Sequence, residues 1–114
     1  MGKCGLAEPW YTDAYFQMAT AYNRLGDYSG AIWTYGQLIE LRPDNAIAYN
    51  NRGVAQSELG YDVMAIPDFS KAIQLDPYFA LAYYNRGIAY RRMSVTEEAN
   101  SDNWQACYLD KKYC

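Results

Sequence analysis

The feature that most constrains this chain is self-similarity at one fixed offset. Tyr15, Tyr49 and Tyr83 stand 34 residues apart (49 − 15 and 83 − 49). Other columns keep that spacing: Ala19, Gly53 and Gly87; Ala21, Ala55 and Ala89; Gly26, Gly60 and Ser94. Ala31, Ala65 and Ala99 follow, then Tyr35, Phe69 and Asn103, then Leu41, Leu75 and Leu109. Pro43 and Pro77 agree, but the third slot of their column holds Lys111. A constant period of this size marks a stacked array, in which no unit can bury its apolar face alone.

Inside one period the apolar residues recur at helical steps. The central unit reads as two amphipathic helices, Ala46–Leu59 and roughly Asp62–Leu75, joined at Gly60 and closed by Asp76 and Pro77. In the first unit, residues 1–11 are a lead-in whose Trp10 and Tyr11 pack on the first helix. That helix spans about 12–25, with the stripe Ala14, Tyr15, Met18, Ala21, Tyr22 and Leu25. Gly26 supplies the positive φ that ends it. A second helix over about 29–41 carries Ala31, Ile32, Tyr35, Leu38 and Ile39, and Pro43 stops it. Pro67 falls about a turn into its helix, which predicts a late start or a bend there. In the third unit, Ser94 with Glu97 reads as a capping box, with Thr96 a competing cap, and the last helix ends near Leu109. The prediction is an all-α fold of three antiparallel helix pairs in series, an α-solenoid. It forms one domain over 12–111 (units of about 12–45, 46–79 and 80–111), with 112–114 as a tail.

Each second helix must pack on the first helix of the next unit. The small residues at 19, 53 and 87, and at 31, 65 and 99, let helices approach, and Tyr35 and Phe69 fill the space between units. The last helix has no successor in the sequence. Its outward face is therefore expected to be polar, through Asp102, Asn103 and Gln105, with Trp104 and Tyr108 partly exposed.

Composition narrows the function classes. Hydrophobic residues make up 51% of the 114, yet mean hydropathy is −0.40, because 13 of them are tyrosines with an apolar body and a polar tip. The net charge of −3 argues against nucleic-acid binding, which needs a concentrated basic face. No apolar run approaches the roughly 18 residues needed to cross a bilayer. There is no His, no nucleophile-elbow serine, no Gly-rich phosphate loop and no acidic cluster at metal-ligand spacing. The expectation is no catalysis, no cofactor and no metal.

Cys4, Cys107 and Cys114 are odd in number and sit at the two ends, so they are read as forming no disulfide framework. Cys107 is then a small apolar filler in a chain kept in a reducing, cytoplasmic compartment. The start lacks a signal-peptide stretch and a myristoylation pattern, and an acylated or periplasmic form anchored through Cys4 is the alternative.

Gly53, Gly60, Ala65, Phe69, Ala72 and Pro77 of the central unit, repeated at constant period, resemble the tetratricopeptide repeat family over roughly residues 12–111. The resemblance implies a right-handed superhelix whose concave groove, lined by the first helix of each pair, binds a peptide or a partner helix. Carried over by column, the groove residues are Phe16, Thr20 and Asn23, with Asp13. The second unit gives Ile47, Asn50, Asn51 and Val54, with Ser57. The third gives Leu81, Tyr84, Asn85, Ile88 and Arg91. Glu58 and Arg92 join Asn51 and Asn85 at the rim. The lining is mostly apolar, which suits an apolar or amphipathic segment. Some members hold an acidic C-terminal tail through a carboxylate clamp. Here only Asn51 matches that clamp, while Phe16, Thr20, Leu81 and Asn85 occupy its other columns.

Arg52 and Arg86 are read as snorkelling stems that meet a carboxylate such as Asp68 or Asp76 rather than a ligand. Two functional expectations result. One is an interaction module that takes a peptide or helix in its groove. The other is a structural module that self-associates by repeat stacking.

Overall fold

The computed structural model describes residues 9–114, so expectations for the first eight residues, Cys4 included, and for the Trp10 side chain lie outside the described residues. Six helices follow in order: α1 (Pro9–Arg24), α2 (Tyr28–Leu41), α3 (Ala46–Glu58), α4 (Asp62–Leu75), α5 (Ala80–Arg92) and α6 (Thr96–Leu109). A 3-10 turn spans Lys111–Tyr113. No strand occurs among the described residues. The pairs α1/α2, α3/α4 and α5/α6 stack in series along a body of 50 × 26 × 21 Å.

The links explain the regular hairpins. Gly26 and Gly60 sit at φ 80° and 87°, where glycine meets no Cβ penalty. Ser94 takes the same left-handed conformation at φ 64°. This corrects the capping-box expectation: Ser94 is spent on the reversal, Val95 is the N-cap without a side-chain bond, and Thr96 is already the first helical residue. Asp27 and Asn45 do cap, accepting from Gly30 N and Ala48 N. α1 starts earlier than the stripe suggested, with Pro9 at its first position, where a missing N–H costs nothing. Nor does α4 start late, since it runs from Asp62 through Pro67 to Leu75. Pro67 and Val63, four residues before it, are both exposed, so water can take the carbonyl that the proline leaves unbonded.

Packing between units runs through the expected columns. Tyr35 and Phe69 are each 1% exposed, and Ala31, Ala65 and Ala99 are fully buried. Gly53 sits against Phe69 so closely that a Cβ would lie 2.7 Å from the ring. Tyr35 and Leu38 anchor the junction between units one and two, with Tyr15, Phe16 and Ile39 packed around them. Phe69 anchors the next junction with Ala65 and Ala89, flanked by Val54 and Ile66.

The third unit departs from expectation at Asp102. It does not cap the outward face of α6. It is 4% exposed and takes two hydrogen bonds from Arg86, at 2.7 and 2.8 Å. Trp104 and Tyr108 are exposed, as expected, and stack on each other with centroids 5.3 Å apart.

The cysteine expectation is also corrected. Cys107 and Cys114 are joined by a disulfide, with Cα atoms 4.6 Å apart. The chain leaves α6 at Asp110 and turns back through Lys111–Tyr113, which brings Cys114 to the end of the helix it has just left. An odd cysteine count cannot reveal such a local reversal, and Cys107 is therefore no mere filler.

Candidate interaction groove

The first helices of the second and third pairs touch directly. Asn85 Nδ2 on α5 donates to Asn50 Oδ1 on α3 at 3.1 Å, and Arg92 Nη1 donates to the Ser57 carbonyl at 3.3 Å. Arg92 also reaches Asp62 Oδ1 at 3.5 Å. Unit three is thereby tied to both helices of unit two along the face on which the groove columns lie.

The predicted residues separate into three groups. Ile47, Leu81 and Tyr84 are exposed, and Val54 and Ile88 are half-buried beside them. These five make an apolar strip across α3 and α5. Asn50 is 1% exposed and forms the floor: it accepts from Asn85 and donates to Asn51 Oδ1 at 3.4 Å. Its two amide neighbours, Asn51 and Asn85, remain half-buried. The last column turns away toward the second helix of its own pair. Asn23 Nδ2 reaches the Tyr35 hydroxyl at 3.5 Å, Ser57 bonds Asp62 at 2.9 Å, and Arg91 bonds Asn100 at 3.2 Å. Asn23 and Arg91 are thus engaged within their own units.

Two recesses break this face. One of about 80 Å³ lies between α3 and α5, lined by Val54, Ser57, Glu58, Phe69, Asn85, Ile88 and Arg92. Phe69, which sequence reasoning assigned wholly to the core, contributes to its wall; its column opposite Gly53 was the available signal. The other, about 320 Å³, is a shallow hollow along α1 lined by Phe16, Gln17, Thr20, Ala21 and Arg24. There Phe16 meets the Tyr35 ring edge-on at 6.2 Å, and Thr20 bonds back to the Phe16 carbonyl at 2.9 Å.

Arg52 and Arg86 are structural, as expected. Arg52 holds Asp68 through two bonds of 2.8 Å. Arg86 holds Asp102, not Asp76, and also bonds Ser70 of the preceding unit at 3.0 Å. Each guanidinium also lies 5.8 Å from a tyrosine ring, Tyr49 for Arg52 and Tyr83 and Tyr90 for Arg86. The hydrogen bonds to Asp68 and Asp102 hold both arginine pKa values above the ordinary value, against a burial effect that lowers them. The cations are committed to the scaffold.

A contact absent from the sequence reading closes the strip at its C-terminal end. The Tyr113 ring lies against Tyr84 with centroids 4.9 Å apart, and Lys112 Nζ stands 5.3 Å from the Tyr113 ring. Among the described residues no helix is long and apolar enough to cross a membrane.

Comparison with known proteins agrees with this architecture. A TPR repeat profile matches residues 13–60, and a tetratricopeptide repeat profile matches 46–79. No curated protein matches the chain. Among solved structures, the Arabidopsis OM64 TPR domain is 28% identical with a TM-score of 0.86, covering 89% of this chain and 84% of that one. The first TPR of Spaghetti (RPAP3), bound to the HSP90 peptide SRMEEVD, is 25% identical with a TM-score of 0.88 over 92% of this chain and 83% of that one. The TPR2B domain of yeast Sti1, in complex with an Hsp70 peptide, is 27% identical with a TM-score of 0.85 over 89% and 81%. Two overlapping repeat profiles, which together span residues 13–79, the constant period and the stacked helix pairs together make this chain a member of the tetratricopeptide repeat family.

Proposed function

We propose that the chain is a non-catalytic interaction module that takes an amphipathic peptide or partner helix along the first helices of its repeats. The observation that carries this is the strip Ile47, Leu81, Tyr84, Val54 and Ile88, apolar and open beside the amides of Asn51 and Asn85. Apolar side chains of a guest would bury on the strip, and the amides would meet its main chain. The peptide-bound neighbours support the general reading. They do not carry over their acidic ligand, because Phe16, Thr20 and Leu81 stand in columns where a carboxylate clamp needs basic or amide groups.

The test uses immobilised amphipathic helical peptides, with the acidic peptide SRMEEVD for comparison. The wild-type chain is expected to retain amphipathic peptides in preference to the acidic one. Tyr84→Ala combined with Ile88→Ala should abolish retention and leave the helical circular dichroism intact. Retention by the double variant, or preference for the acidic peptide, overturns the reading.

Self-association is a second reading, favoured by exposed Met18 and Leu25 at one end of the array and exposed Trp104 and Tyr108 at the other. Light scattering coupled to size exclusion tests it: a concentration-independent monomer rejects it.

A further inference from the structure

We infer that the Cys107–Cys114 disulfide is a thiol-operated latch that keeps Tyr113 over Tyr84. The chain beyond Leu109 has little else to hold it. Asp110 Oδ1 accepts from Lys112 N at 3.1 Å, and Tyr113 N and Cys114 N bond back within the same turn, to Asp110 O and Lys111 O. These bonds shape the turn and do not fasten it to the array. Asp110, Lys111 and Lys112 are exposed. Asp110 N still bonds Ala106 O at 2.9 Å; past it, the contacts that reach outward are the Tyr113 ring on Tyr84 and the disulfide to α6, where Cys114 Sγ also lies 3.4 Å from Cys107 O. A short exposed turn with one aromatic contact opens readily in water unless tied down. The covalent bond is that tie, and it decides whether the aromatic contact persists.

Reduction follows ordinary exchange. A thiolate from a small dithiol attacks one sulfur of the pair, the Cys107–Cys114 bond breaks, and a mixed disulfide forms. The second thiol of the reagent then displaces the remaining cysteine. Two cysteine thiols and one cyclic disulfide of the reagent result, so two electrons and two protons have passed to the protein. Neither cysteine is buried, which leaves the bond open to attack. Reduced, the turn leaves α5 and the Tyr84 ring, already 36% exposed, loses the cover of Tyr113. The functional consequence rests on the groove reading: Tyr113 partly covers the third repeat's end of the strip in the oxidised chain, and the reduced chain offers all of it to a guest.

The experiment reads the latch without any guest. Cys4 is changed to Ser in every form to prevent disulfide shuffling. Three forms are compared: oxidised; reduced with dithiothreitol and alkylated; and Cys107→Ser combined with Cys114→Ser. Tetranitromethane nitration is mapped by mass spectrometry at Tyr84, with buried Tyr35 as the internal control, and trypsin cleavage is followed after Lys111 and Lys112. Both opened forms should show severalfold faster nitration of Tyr84 and faster cleavage, with Tyr35 unreacted. Equal Tyr84 nitration in all three forms overturns the latch. So does reaction of Tyr35 in the opened forms, since the bond would then hold the whole array. Free thiols at 107 and 114 in the air-oxidised protein also overturn it. A working latch in a chain that retains no peptide in any form retires the groove reading and leaves the latch standing.

Discussion

The two ends of the array are built from the same columns and finished differently. Ala48 and Ala82, one period apart, are 0% exposed, as are Ala55 and Ala89, because the second helix of the preceding unit covers them. Their counterparts on α1, Ala14 and Ala21, are exposed, and so is Met18, which stands where later units carry Arg52 and Arg86. The N-terminal face thus keeps the sequence of an interior surface, with no cover among the described residues. The C-terminal end has been rewritten. Asn103 stands in the column of Tyr35 and Phe69, Trp104 in that of Gly36 and Ser70, and a disulfide-tied turn follows. The lesson is that burial in a solenoid belongs to the junction and not to the residue.

The largest test places the same substitution on both sides of that comparison. Ala55→Glu buries an unpaired carboxylate at a sealed junction and should cost about 4 kcal/mol, enough to unfold much of the array. Ala21→Glu, in the same column, should stay within about 0.5 kcal/mol. Urea midpoints measure both, and equal losses would mean that α1 is covered. Next comes the filler column. Phe69→Ala should cost about 3–4 kcal/mol by opening a cavity, whereas Asn103→Ala at the end should cost under about 1 kcal/mol.

Asp102→Ala should cost about 1–3 kcal/mol, because it strands a guanidinium that is only one-fifth exposed. The arginine side of that pair has a raised pKa, so its contribution is complete below the unfolded arginine value. It fades only as pH rises through the still higher folded value. An alkaline loss of urea stability just above neutral pH would therefore point to other groups. The smallest effect is a gain: Ser94→Gly should stabilise by about 1 kcal/mol, by relieving the left-handed backbone that Gly26 and Gly60 adopt freely. No gain would mean that Ser94 is better accommodated than its φ implies.

Much of the fold was legible because period, stripe and turn glycine report the same helix pairs independently. Ile47, Val54, Leu81, Tyr84 and Ile88 came from the family's columns, and their helical steps put those of one helix on a shared face. Columns alone misled where a neighbour's identity mattered. Asn23 and Arg91 sit at the right helical angle, yet polar groups on their own second helices claim them. Asp102 looked like a cap residue until Arg86 was found to be its partner. Arg52 with Asp68 and Arg86 with Asp102 share one spacing (68 − 52 and 102 − 86), so the second pair was readable from the first.

The sequence by itself determined the helix pairs, their number and their serial order, because these follow from local periodicity and from turn residues that tolerate one backbone conformation. Only the tertiary structure decided which alanines are sealed, and that Tyr113 comes to rest on Tyr84 behind a disulfide. Those outcomes depend on distances between residues far apart in a column or folded back past a helix end, and no periodic pattern encodes them.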